Sequence, residues 1–365
     1  MKVIQVISSF SPGGAEVLVK NLAIKLSKKI DVEVWAMAKS KDESFEKKYM
    51  QELEQYHVRM FQFNKEYLGN RIKIIFKLRE KIRMSKPDII NTHLEYINIY
   101  TVMASLGLGI PIVHTIHNVK IEFLWIFRFF LKYFTRKFVA ISVKIENIIQ
   151  EQLNLPPNKI RLIFNGINLQ EYNGVKRKER GNVSHIIAVG RLLPQKDYPN
   201  LLGAYKKLVF LLSEQCIEPP QLNIVGDGRL KKDLMKMVDK LNITSKVNFL
   251  GIRTDIPHLL ANSDLYIMAS KWEGFSISLI EALASGIPII ATSVGSNGEL
   301  IENNKNGLLL VSGRPDLLAK AMLELILNKE LRRRFSKNGS DTAKKFSIEA
   351  CTEGYLKLYF DLINR

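Results

Sequence analysis

Two cations lie five positions apart in the C-terminal half of the chain and could bind a diphosphate. They are Arg191 and Lys196, within the segment 190–197, which directly follows the short β-branched run 186–189. We expect this segment to be the loop at the end of a strand. A guanidinium group binds phosphate oxygens as a bidentate fork, and an ammonium group binds them as a point charge. A solvated basic loop is the alternative explanation of the same residues.

Two carboxylates, Glu273 and Glu281, lie eight residues apart farther along the chain. The pattern predicts Glu273 in a loop after a strand and Glu281 two turns into a helix that ends at Gly286. The backbone N–H groups at the start of this helix suit a phosphate, and they belong to Gly274, Phe275 and Ser276. The carboxylates can accept hydrogen bonds from sugar and ribose hydroxyls. Alternatively, Glu273 is a helix cap and Glu281 an ordinary surface residue.

The N-terminal half offers a glycine-rich loop and two histidines at predicted strand ends. Gly13 and Gly14 separate the first strand from a helix, where N–H groups and the helix dipole favour an anion, although a plain turn needs the same glycines. His117 closes the run His-Thr-Ile-His, and His93 ends the neighbouring strand. We interpret His117 as the better site candidate and expect that His93 could line the same cleft. A structural role is the alternative for both histidines.

These candidate residues lie far apart in the chain, so they can form a site only if the fold brings their loops together. Short β-branched runs alternate with segments of helical period, which is typical of parallel sheets covered by helices on both faces. The alternation lapses in a polar, basic segment and restarts at Ile186. The sequence therefore predicts an α/β protein with two Rossmann-like, doubly wound domains, 1–168 and 185–345, joined by a linker at 169–184. A C-terminal helix, 346–365, could cross back to the first domain.

Length and composition narrow the class of protein. A chain of 365 residues is long for one hydrophobic core, and 46% hydrophobic with 25% charged residues fits a globular protein of two domains. We find no apolar run that could span a membrane and no signal-peptide pattern, so we expect a cytoplasmic protein. The formal net charge of +18 predicts an anionic partner, which could be a phosphate-bearing substrate, acidic lipid or nucleic acid. No nucleic-acid-binding motif is present, which disfavours the last of these.

The sequence gives little support for a metal cofactor. Cys216 and Cys351 are the only cysteines, and they lie far apart without a CxxC pattern. Asp227 lies between two glycines in a segment that predicts a tight turn. An Asp-x-Asp motif, which would indicate a metal-dependent nucleotide-sugar site, does not occur. We therefore predict no metal and no cofactor apart from a co-substrate.

Taken together, these segments resemble the retaining family-4 glycosyltransferases, whose fold is two facing Rossmann-like domains, the GT-B arrangement. The resemblance covers essentially the whole chain, and its most specific part is the segment 270–288, which begins Ser-Lys-Trp-Glu-Gly-Phe and ends Glu-Ala-Leu-Ala-Ser-Gly-Ile-Pro. The other matching motifs are Gly13-Gly14-Ala15-Glu16, His117, Asn165-Gly166-Ile167, Gly190-Arg191 with Lys196, and Gly226-Asp227-Gly228.

The resemblance implies how a nucleotide-sugar donor would be held. Arg191 and Lys196 would neutralise its diphosphate, and Gly13 and Gly14 would reach the same phosphates from the other domain. Glu281 would hold the ribose. A uridine diphosphate sugar is the favoured donor, and guanosine diphosphate mannose is the alternative.

The resemblance also implies how the sugar would react. Glu273 would bind it together with the backbone amides after it, His117 would lie near the reacting carbon, and Arg253 would lie near the base. Preorganised cations and helix amides can stabilise the leaving diphosphate without a metal. We adopt a front-face route, in which the donor phosphate takes the proton of the acceptor and no enzymic nucleophile is used.

Two basic segments suggest where the acceptor comes from. Segment 71–86 carries seven Lys or Arg against one Glu, with Lys73, Lys77 and Lys81 on one helical face, and segment 123–137 mixes aromatics with cations. Both could contact the anionic inner face of the cell membrane, which favours a lipid-linked or saccharide acceptor in surface-polysaccharide, lipopolysaccharide or glycolipid synthesis. The alternative for segment 71–86 is a solvated basic face, and the alternative for segment 123–137 is an aromatic-rich core helix. The competing functions are a nucleotide-sugar epimerase or phosphorylase of the same arrangement and a non-catalytic membrane-surface binding module.

Overall fold

The computed structural model describes residues 1–63, 71–117, 125–175 and 181–364. The chain divides into two compact units. Unit 1 comprises residues 1–167 and 347–365, and unit 2 comprises residues 168–346. The segment 169–184, for which we expected a linker, belongs to unit 2, and residues 176–180 of it lie outside the described residues.

Unit 1 is built on a parallel sheet of seven strands in the order β3-β2-β1-β4-β5-β6-β7. The strands are β1 (Lys2–Ile7), β2 (Asp31–Ala36), β3 (Arg59–Gln62), β4 (Ile89–His93), β5 (Ile112–Ile116), β6 (Lys137–Ala140) and β7 (Ile160–Leu162). The sequence-based prediction missed β3, because this edge strand is only half-buried and its residues, Arg-Met-Phe-Gln, include no β-branched side chain.

Helices cover both faces of this sheet. They are α1 (Gly14–Leu26), α2 (Glu43–Gln55), α3 (Arg71–Ser85), α4 (Glu95–Ser105), α5 (Trp125–Phe134), α6 (Val143–Leu153) and, from the C-terminus, α15 (Ile348–Ile363). Val3 and Ile7 of β1 pack in one hydrophobic core with α1 and α15, and Ile4 and Val6 pack in a second core with α3 and α4. The alternation along β1 therefore points Gln5 to the face that α15 covers.

Unit 2 contains a second parallel sheet, of six strands in the order β10-β9-β8-β11-β12-β13. The strands are β8 (His185–Val189), β9 (Gln221–Val225), β10 (Val247–Gly251), β11 (Leu265–Met268), β12 (Ile289–Thr292) and β13 (Leu308–Leu310). The helices are α7 (Leu169–Asn173), α8 (Tyr198–Ser213), α9 (Lys231–Lys240), α10 (Ile256–Ala261), α11 (Ile277–Ala284), α12 (Asn297–Leu300), α13 (Pro315–Leu327) and α14 (Lys329–Ala343). Two doubly wound α/β units confirm the predicted fold class.

Each sheet reverses its winding direction at one point. In unit 1 this switch point lies between β1 and β4, and in unit 2 it lies between β8 and β11. Loops at the carboxyl ends of strands diverge at a switch point, so ligands of doubly wound folds bind there. The predicted site residues Gly13, Lys196 and Glu273 each follow one of these four strands, and His93 is the last residue of another. Within the described residues, no helix is both long and apolar enough to cross a bilayer.

Candidate active site

Lys196 and Glu273 form an ion pair across the switch point of unit 2. The Nζ atom of Lys196, after β8, lies 2.7 Å from Oε1 of Glu273, after β11. Ser270 Oγ donates to the same carboxylate oxygen at 2.6 Å, and Gln195 Nε2 lies 3.4 Å from Oε2. Glu273 is only 5% exposed, so its carboxylate is held by charge and hydrogen bonds rather than by water. Glu273 is therefore not a helix cap; it is a buried, oriented acceptor beside a cation.

The loop after β12 fixes the backbone around Glu273. A Cβ atom on Gly295, whose φ is +56°, would collide with the carbonyl oxygen of Glu273. The N–H of Ser296 donates to the carbonyl of Gly274 at 3.1 Å, and Thr292 Oγ1 donates to the carbonyl of Ser270 at 2.7 Å. The segment 270–276 therefore has little freedom to move its carboxylate.

Glycines allow the loops after β8 and β9 to touch. A Cβ on Gly226 would collide with the carbonyl of Gly190, and one on Gly228 would lie 2.5 Å from the carbonyl oxygen of Leu192. The side chain of Lys196 also covers Gly190, with its Cε only 2.9 Å from where a Cβ would be. These contacts explain why the motif at 226–228 has glycine at both ends, and they help to aim Lys196.

Helix α11 begins at Ile277, directly after the segment 270–276. Glu281 is its fifth residue, about one turn into the helix and not two turns as predicted, because the helix begins later than the pattern indicated. Ser276 is its N-cap residue, and its Oγ lies 3.2 Å from Ser278 Oγ, to which the Tyr266 hydroxyl donates at 3.1 Å. Phe275 is buried against Phe346, with ring centroids 5.6 Å apart. The first N–H groups of a helix have no acceptor within the helix, and in α11 they belong to residues 277–279. The predicted amides of Gly274, Phe275 and Ser276 therefore lie just before the helix and not in its first turn.

Glu281 lies in the middle of α11 and is partly buried. Burial raises the pKa of its carboxyl group to about 7, against a hydrogen bond from the Tyr172 hydroxyl that favours the carboxylate. Tyr172, in α7, is itself buried. Glu281 is therefore not an ordinary surface residue, and a small change in its surroundings changes its charge near neutral pH.

The two arginines proposed for the donor differ in their surroundings. Arg191 is exposed and has no side-chain hydrogen bond or ion pair within the described parts of the chain, so its guanidinium group is available to an anion. Arg253 instead forms a two-pronged pair with Asp255, with N–O distances of 2.7 and 2.6 Å. Using Arg253 for a ligand would require that this exposed pair open.

In unit 1, the loop after β1 presents a carboxylate at the start of α1. Gly13 is the N-cap residue, and Oε2 of Glu16 occupies the place that a Cβ on Gly13 would take. Ser8 Oγ donates to the other carboxylate oxygen at 2.6 Å. A carboxylate in this position itself complements the helix dipole. A phosphate reaching Gly13 and Gly14 would have to share this place with Glu16.

His93 and His117 are in direct contact in unit 1. Nδ1 of His93 lies 3.0 Å from Nε2 of His117, and Nε2 of His93 lies 2.9 Å from Oε1 of Gln5. Burial lowers the pKa of His117 to about 4 and that of His93 well below its usual value. His114 is separate: it pairs with Thr92, and burial lowers its pKa to about 3. The two histidines that we expected at one cleft are thus in contact with each other, and their place in a ligand site stays a prediction.

The basic face of α3 is partly solvated and partly packed. Lys73 and Lys77 are exposed, whereas Lys81 is half-buried and its Nζ lies 4.4 Å from the centroid of the Phe61 ring. Large apolar side chains on the same helix are also exposed, among them Phe76 at 67%. Of the predicted aromatic and cationic segment 123–137, the first two residues lie outside the described residues.

Several residues that complete these clusters escaped the sequence-based prediction. They are Ser270 and Gln195 at Glu273, Tyr172 at Glu281, and Gln5, Asn91 and Tyr359 at the histidines. Ser270 lies three residues before Glu273, and this short spacing was a usable signal.

Asp227, predicted to lie in a tight turn, accepts a hydrogen bond from the Gly228 N–H at 2.7 Å and forms an ion pair with Lys231. In the described ranges no three or more His, Cys, Asp or Glu side chains cluster as metal ligands would.

Comparison with known proteins gives the family of this chain. A family model described as Glycosyltransferase Family 4 matches residues 12–171, and one described as Glycosyl transferases group 1 matches residues 173–342. The protein is therefore a glycosyltransferase. It belongs to family 4 of these enzymes, which confirms the resemblance of its motifs.

Three curated relatives illustrate the similarity. An uncharacterised glycosyltransferase of Methanocaldococcus jannaschii is 33% identical over 241 residues, which are 64% of this chain and 63% of the relative. A UDP-Gal:α-D-GlcNAc-diphosphoundecaprenol α-1,3-galactosyltransferase of Escherichia coli is 28% identical over 313 residues, 80% of each chain. A GalNAc-α-(1→4)-GalNAc-α-(1→3)-diNAcBac-PP-undecaprenol α-1,4-N-acetyl-D-galactosaminyltransferase of Campylobacter jejuni is 27% identical over 372 residues, which are 100% of this chain and 99% of the relative.

Solved structures show the same fold. The protein HepE from Anabaena, in complex with UDP-glucose, superposes with a TM-score of 0.84 and covers 99% of this chain and 100% of its own. Its sequence is 22% identical, so this similarity concerns the fold.

Proposed function

We propose that this glycosyltransferase moves a sugar from a uridine diphosphate donor to a lipid-linked acceptor in surface-polysaccharide, lipopolysaccharide or glycolipid synthesis. The observation that carries the proposal is the arrangement of Lys196, Glu273 and Ser270 at the switch point of unit 2, where a cation suited to phosphate lies beside an acceptor suited to hydroxyls. The undecaprenol-linked substrates named for the Escherichia coli and Campylobacter jejuni relatives support a lipid-linked acceptor, and the former name supports a UDP-sugar.

Lys196 and Arg191 would neutralise the diphosphate as the glycosidic bond breaks. An ammonium group has three protons, and Glu273 engages Lys196 through one carboxylate oxygen, so further donors are available to phosphate oxygens. The charge of the leaving group grows in the transition state, where preorganised cations and helix N–H groups stabilise it. In our proposal this requires no metal, the donor phosphate accepts the proton of the acceptor, and the sugar retains its anomeric configuration.

The two carboxylates would bind different hydroxyl groups of the donor. Glu273 is held rigidly beside the cation, which suits the transferred sugar, and Glu281 lies within α11 beside Tyr172, which suits the ribose. His117 would meet the sugar from unit 1 as a neutral group, because its pKa is lowered to about 4. It would therefore accept a hydrogen bond and not donate a proton as an acid.

We also infer that α3 contacts an anionic membrane surface. Ile72, Phe76 and Met84 are 65%, 67% and 71% exposed, and they alternate along the helix with the exposed cations Lys73 and Lys77. Apolar insertion and attraction to acidic lipids reinforce each other in such a helix. This surface would bring the enzyme to a lipid-linked acceptor.

Vesicle binding tests the membrane contact. Binding to phosphatidylglycerol vesicles should weaken with salt and be lost when Lys73, Lys77 and Lys81 are replaced by Glu. Because Lys81 packs on Phe61, the pair Lys73→Glu and Lys77→Glu is the cleaner variant, and Phe76→Ser tests the apolar part. Equal binding of all variants, or no binding at any salt concentration, would remove this inference.

Product analysis tests the transfer itself. The protein is incubated with labelled UDP-sugars and GDP-mannose, with polyprenyl-diphosphate-linked or simple saccharide acceptors, in the presence and absence of a chelator. The proposal predicts label in the acceptor, unchanged anomeric configuration and no effect of the chelator. An epimerised donor would indicate an epimerase, and phosphate-dependent cleavage of a glycoside would indicate a phosphorylase.

A further inference from the structure

A continuous series of buried polar groups leads from α15 to His117 within unit 1. The hydroxyl oxygen of Tyr359 accepts from Gln5 Nε2 at 3.0 Å and from Asn91 Nδ2 at 2.9 Å. Asn91 Nδ2 also lies 3.0 Å from Gln5 Oε1, and that oxygen lies 2.9 Å from Nε2 of His93. The series ends at the contact of 3.0 Å between Nδ1 of His93 and Nε2 of His117.

The proton positions in this series follow from what each atom can donate or accept. Gln5 Oε1 can only accept, so Nε2 of His93 must carry a hydrogen. His93 is buried and neutral, so it has a single ring hydrogen, and its Nδ1 is an acceptor. Nε2 of His117 must then be the donor. Because His117 is also neutral, its Nδ1 carries a lone pair and no hydrogen.

The orientations of the two amides are fixed by the same reasoning. If the oxygen and nitrogen of both Gln5 and Asn91 were exchanged, two carbonyl oxygens would face the hydroxyl of Tyr359, which has only one hydrogen to donate. In the observed orientation, two N–H groups meet the two lone pairs of that hydroxyl.

The free nitrogen of His117 is the one that a ligand can reach. Its Nδ1 has no hydrogen-bond partner among the described residues, and it is not one of the fully enclosed unpaired atoms, unlike Nε2 of His114. The backbone beside His93 is also unusual, since Leu94 has a φ of +77°. Strained residues of this kind persist where the surrounding structure determines the conformation.

We propose that His93 is a positioning residue that, together with Gln5 and Tyr359, holds His117 in the neutral Nε2–H tautomer and leaves Nδ1 as its one exposed acceptor. The group that Nδ1 accepts from is a hydroxyl of the bound sugar; this part rests on the proposed function. The tautomer itself does not depend on it. Tyr359 of α15 thereby acts on His117 through Gln5, Asn91 and His93.

Nitrogen NMR of the ring atoms measures the tautomer without any donor. Protein labelled with ¹⁵N-histidine is examined by long-range ¹H–¹⁵N correlation at pH 7, and His117→Gln assigns the signals. We expect the pattern of an Nε2–H imidazole for His117 in the wild type. In His93→Leu the pattern should become that of a tautomer mixture, and His93→Asn, which keeps an amide oxygen near the former Nδ1, should restore it. Tyr359→Phe, which keeps the packed ring, should also loosen the preference.

Kinetics distinguish positioning from a structural role. Loss of the partner that orients a metal-bound histidine typically reduces activity about 10- to 100-fold, and we expect a similar range where a partner orients His117. We expect His93→Leu to lower kcat in that range with little change in the KM for the nucleotide sugar, and His93→Asn to recover much of it. An Nδ1–H or doubly protonated His117 in the wild type, or an unchanged tautomer in both His93→Leu and Tyr359→Phe, would overturn the proposal. The predicted tautomer in a protein without transferase activity would contradict the proposed function instead.

Discussion

The ammonium group of Lys196 lies 2.7 Å from a carboxylate oxygen of Glu273, and the pair joins loops that follow two neighbouring strands of one sheet. Glu273 is almost completely buried, and the side chain of Lys196 is 15% exposed. Removing one member of a buried ion pair leaves the other charge without compensation, which costs more than the pair contributes. The pair therefore links the stability of unit 2 to the chemistry of the donor site that we propose there.

Replacing first one and then both members of this pair should distinguish its effect on stability from its effect on activity. Glu273→Gln leaves the Lys196 charge unpaired, and we expect it to lower the free energy of unfolding by up to about 3 kcal/mol. It should lower kcat/KM about 100-fold or more, the range observed when one preorganised electrostatic group is removed from a site. In the double variant Glu273→Gln with Lys196→Met, much of the stability should return and the activity should not.

Urea unfolding and initial transfer rates of the same preparations provide the comparison. Glu302→Gln removes a carboxylate from an exposed pair with Lys305 and serves as the control for the loss of one charge. Recovery of activity in the double variant would mean that the pair has only a structural role.

Two glycines with similar backbone conformations test how tightly Glu273 must be held. Gly295 and Gly313 have φ values of +56° and +73°, so alanine at either position costs about 1–2 kcal/mol for the left-handed conformation. A Cβ on Gly313 meets nothing within 4 Å, whereas one on Gly295 collides with the carbonyl of Glu273. Gly295→Ala should therefore lose more stability than Gly313→Ala and should alone lose transferase activity. Equal losses of activity in the two variants would show that the position of Glu273 is not critical.

The affinity for a nucleotide sugar should depend on the ionisation of Glu281. Its pKa is about 7 in the free protein, and ribose hydroxyls donate to the carboxylate form. Binding then lowers this pKa and releases protons, so affinity should increase roughly tenfold from pH 6 to pH 8. Calorimetry with an intact UDP-sugar, in buffers of different ionisation enthalpy, measures both the affinity and the proton release. Glu281→Gln should abolish the pH dependence.

Tyr172 provides a matched control for this effect. Its hydrogen bond favours the carboxylate of Glu281, so Tyr172→Phe should raise the pKa of Glu281 further and move the rise in affinity to higher pH. A shift to lower pH, or the same profile in all three proteins, would show that Glu281 does not control donor binding.

Buried histidines should make unit 1 sensitive to acid. The pKa is about 3 for His114 and about 4 for His117 in the folded protein, below the ordinary value of 6.5. Below pH 6.5 the unfolded chain takes up protons that the folded chain does not, so the free energy of unfolding should decrease as the pH falls from 6.5 towards 4. Above pH 6.5 these groups contribute no pH dependence. The expected loss is about 2 kcal/mol per histidine at pH 5.

Urea unfolding between pH 5 and pH 7.5 measures this loss. His114→Gln should reduce the acid sensitivity, and replacing the exposed His258 by Gln should leave it unchanged. Identical pH profiles for wild type and His114→Gln would show that the histidine is not held neutral.

The positions of the site residues on loops and helices could be predicted because short local patterns in the sequence determine where strands and helices end. The β-branched run before Arg191 was sufficient to place that residue after a strand, and Gly286 was sufficient to place Glu281 in the helix that ends there. Edge strand β3 was missed, because a half-buried strand without β-branched residues has no clear pattern.

The partners of the site residues could not be predicted from one sequence. Lys196 and Glu273 are 77 residues apart, and Gln5 and Tyr359 are 354 residues apart. The first pair meets only when the sheet of unit 2 is assembled, and the second pair meets only when α15 packs on the sheet of unit 1. From the sequence we therefore predicted two separate donor-binding residues where the structure has an ion pair. Nothing in the sequence indicates that Tyr359 of α15 is hydrogen-bonded to the group beside the histidines.

Transfer of a labelled sugar by three proteins tests the central claim most directly. Wild type, Glu273→Gln and the charge control Glu302→Gln are assayed in parallel with the UDP-sugar that best stabilises the wild type and a polyprenyl-diphosphate-linked saccharide. We predict that label enters the lipid fraction at similar rates for wild type and Glu302→Gln and at least about 100-fold more slowly for Glu273→Gln. Equal rates for all three proteins would contradict the assignment of Glu273 to the donor site.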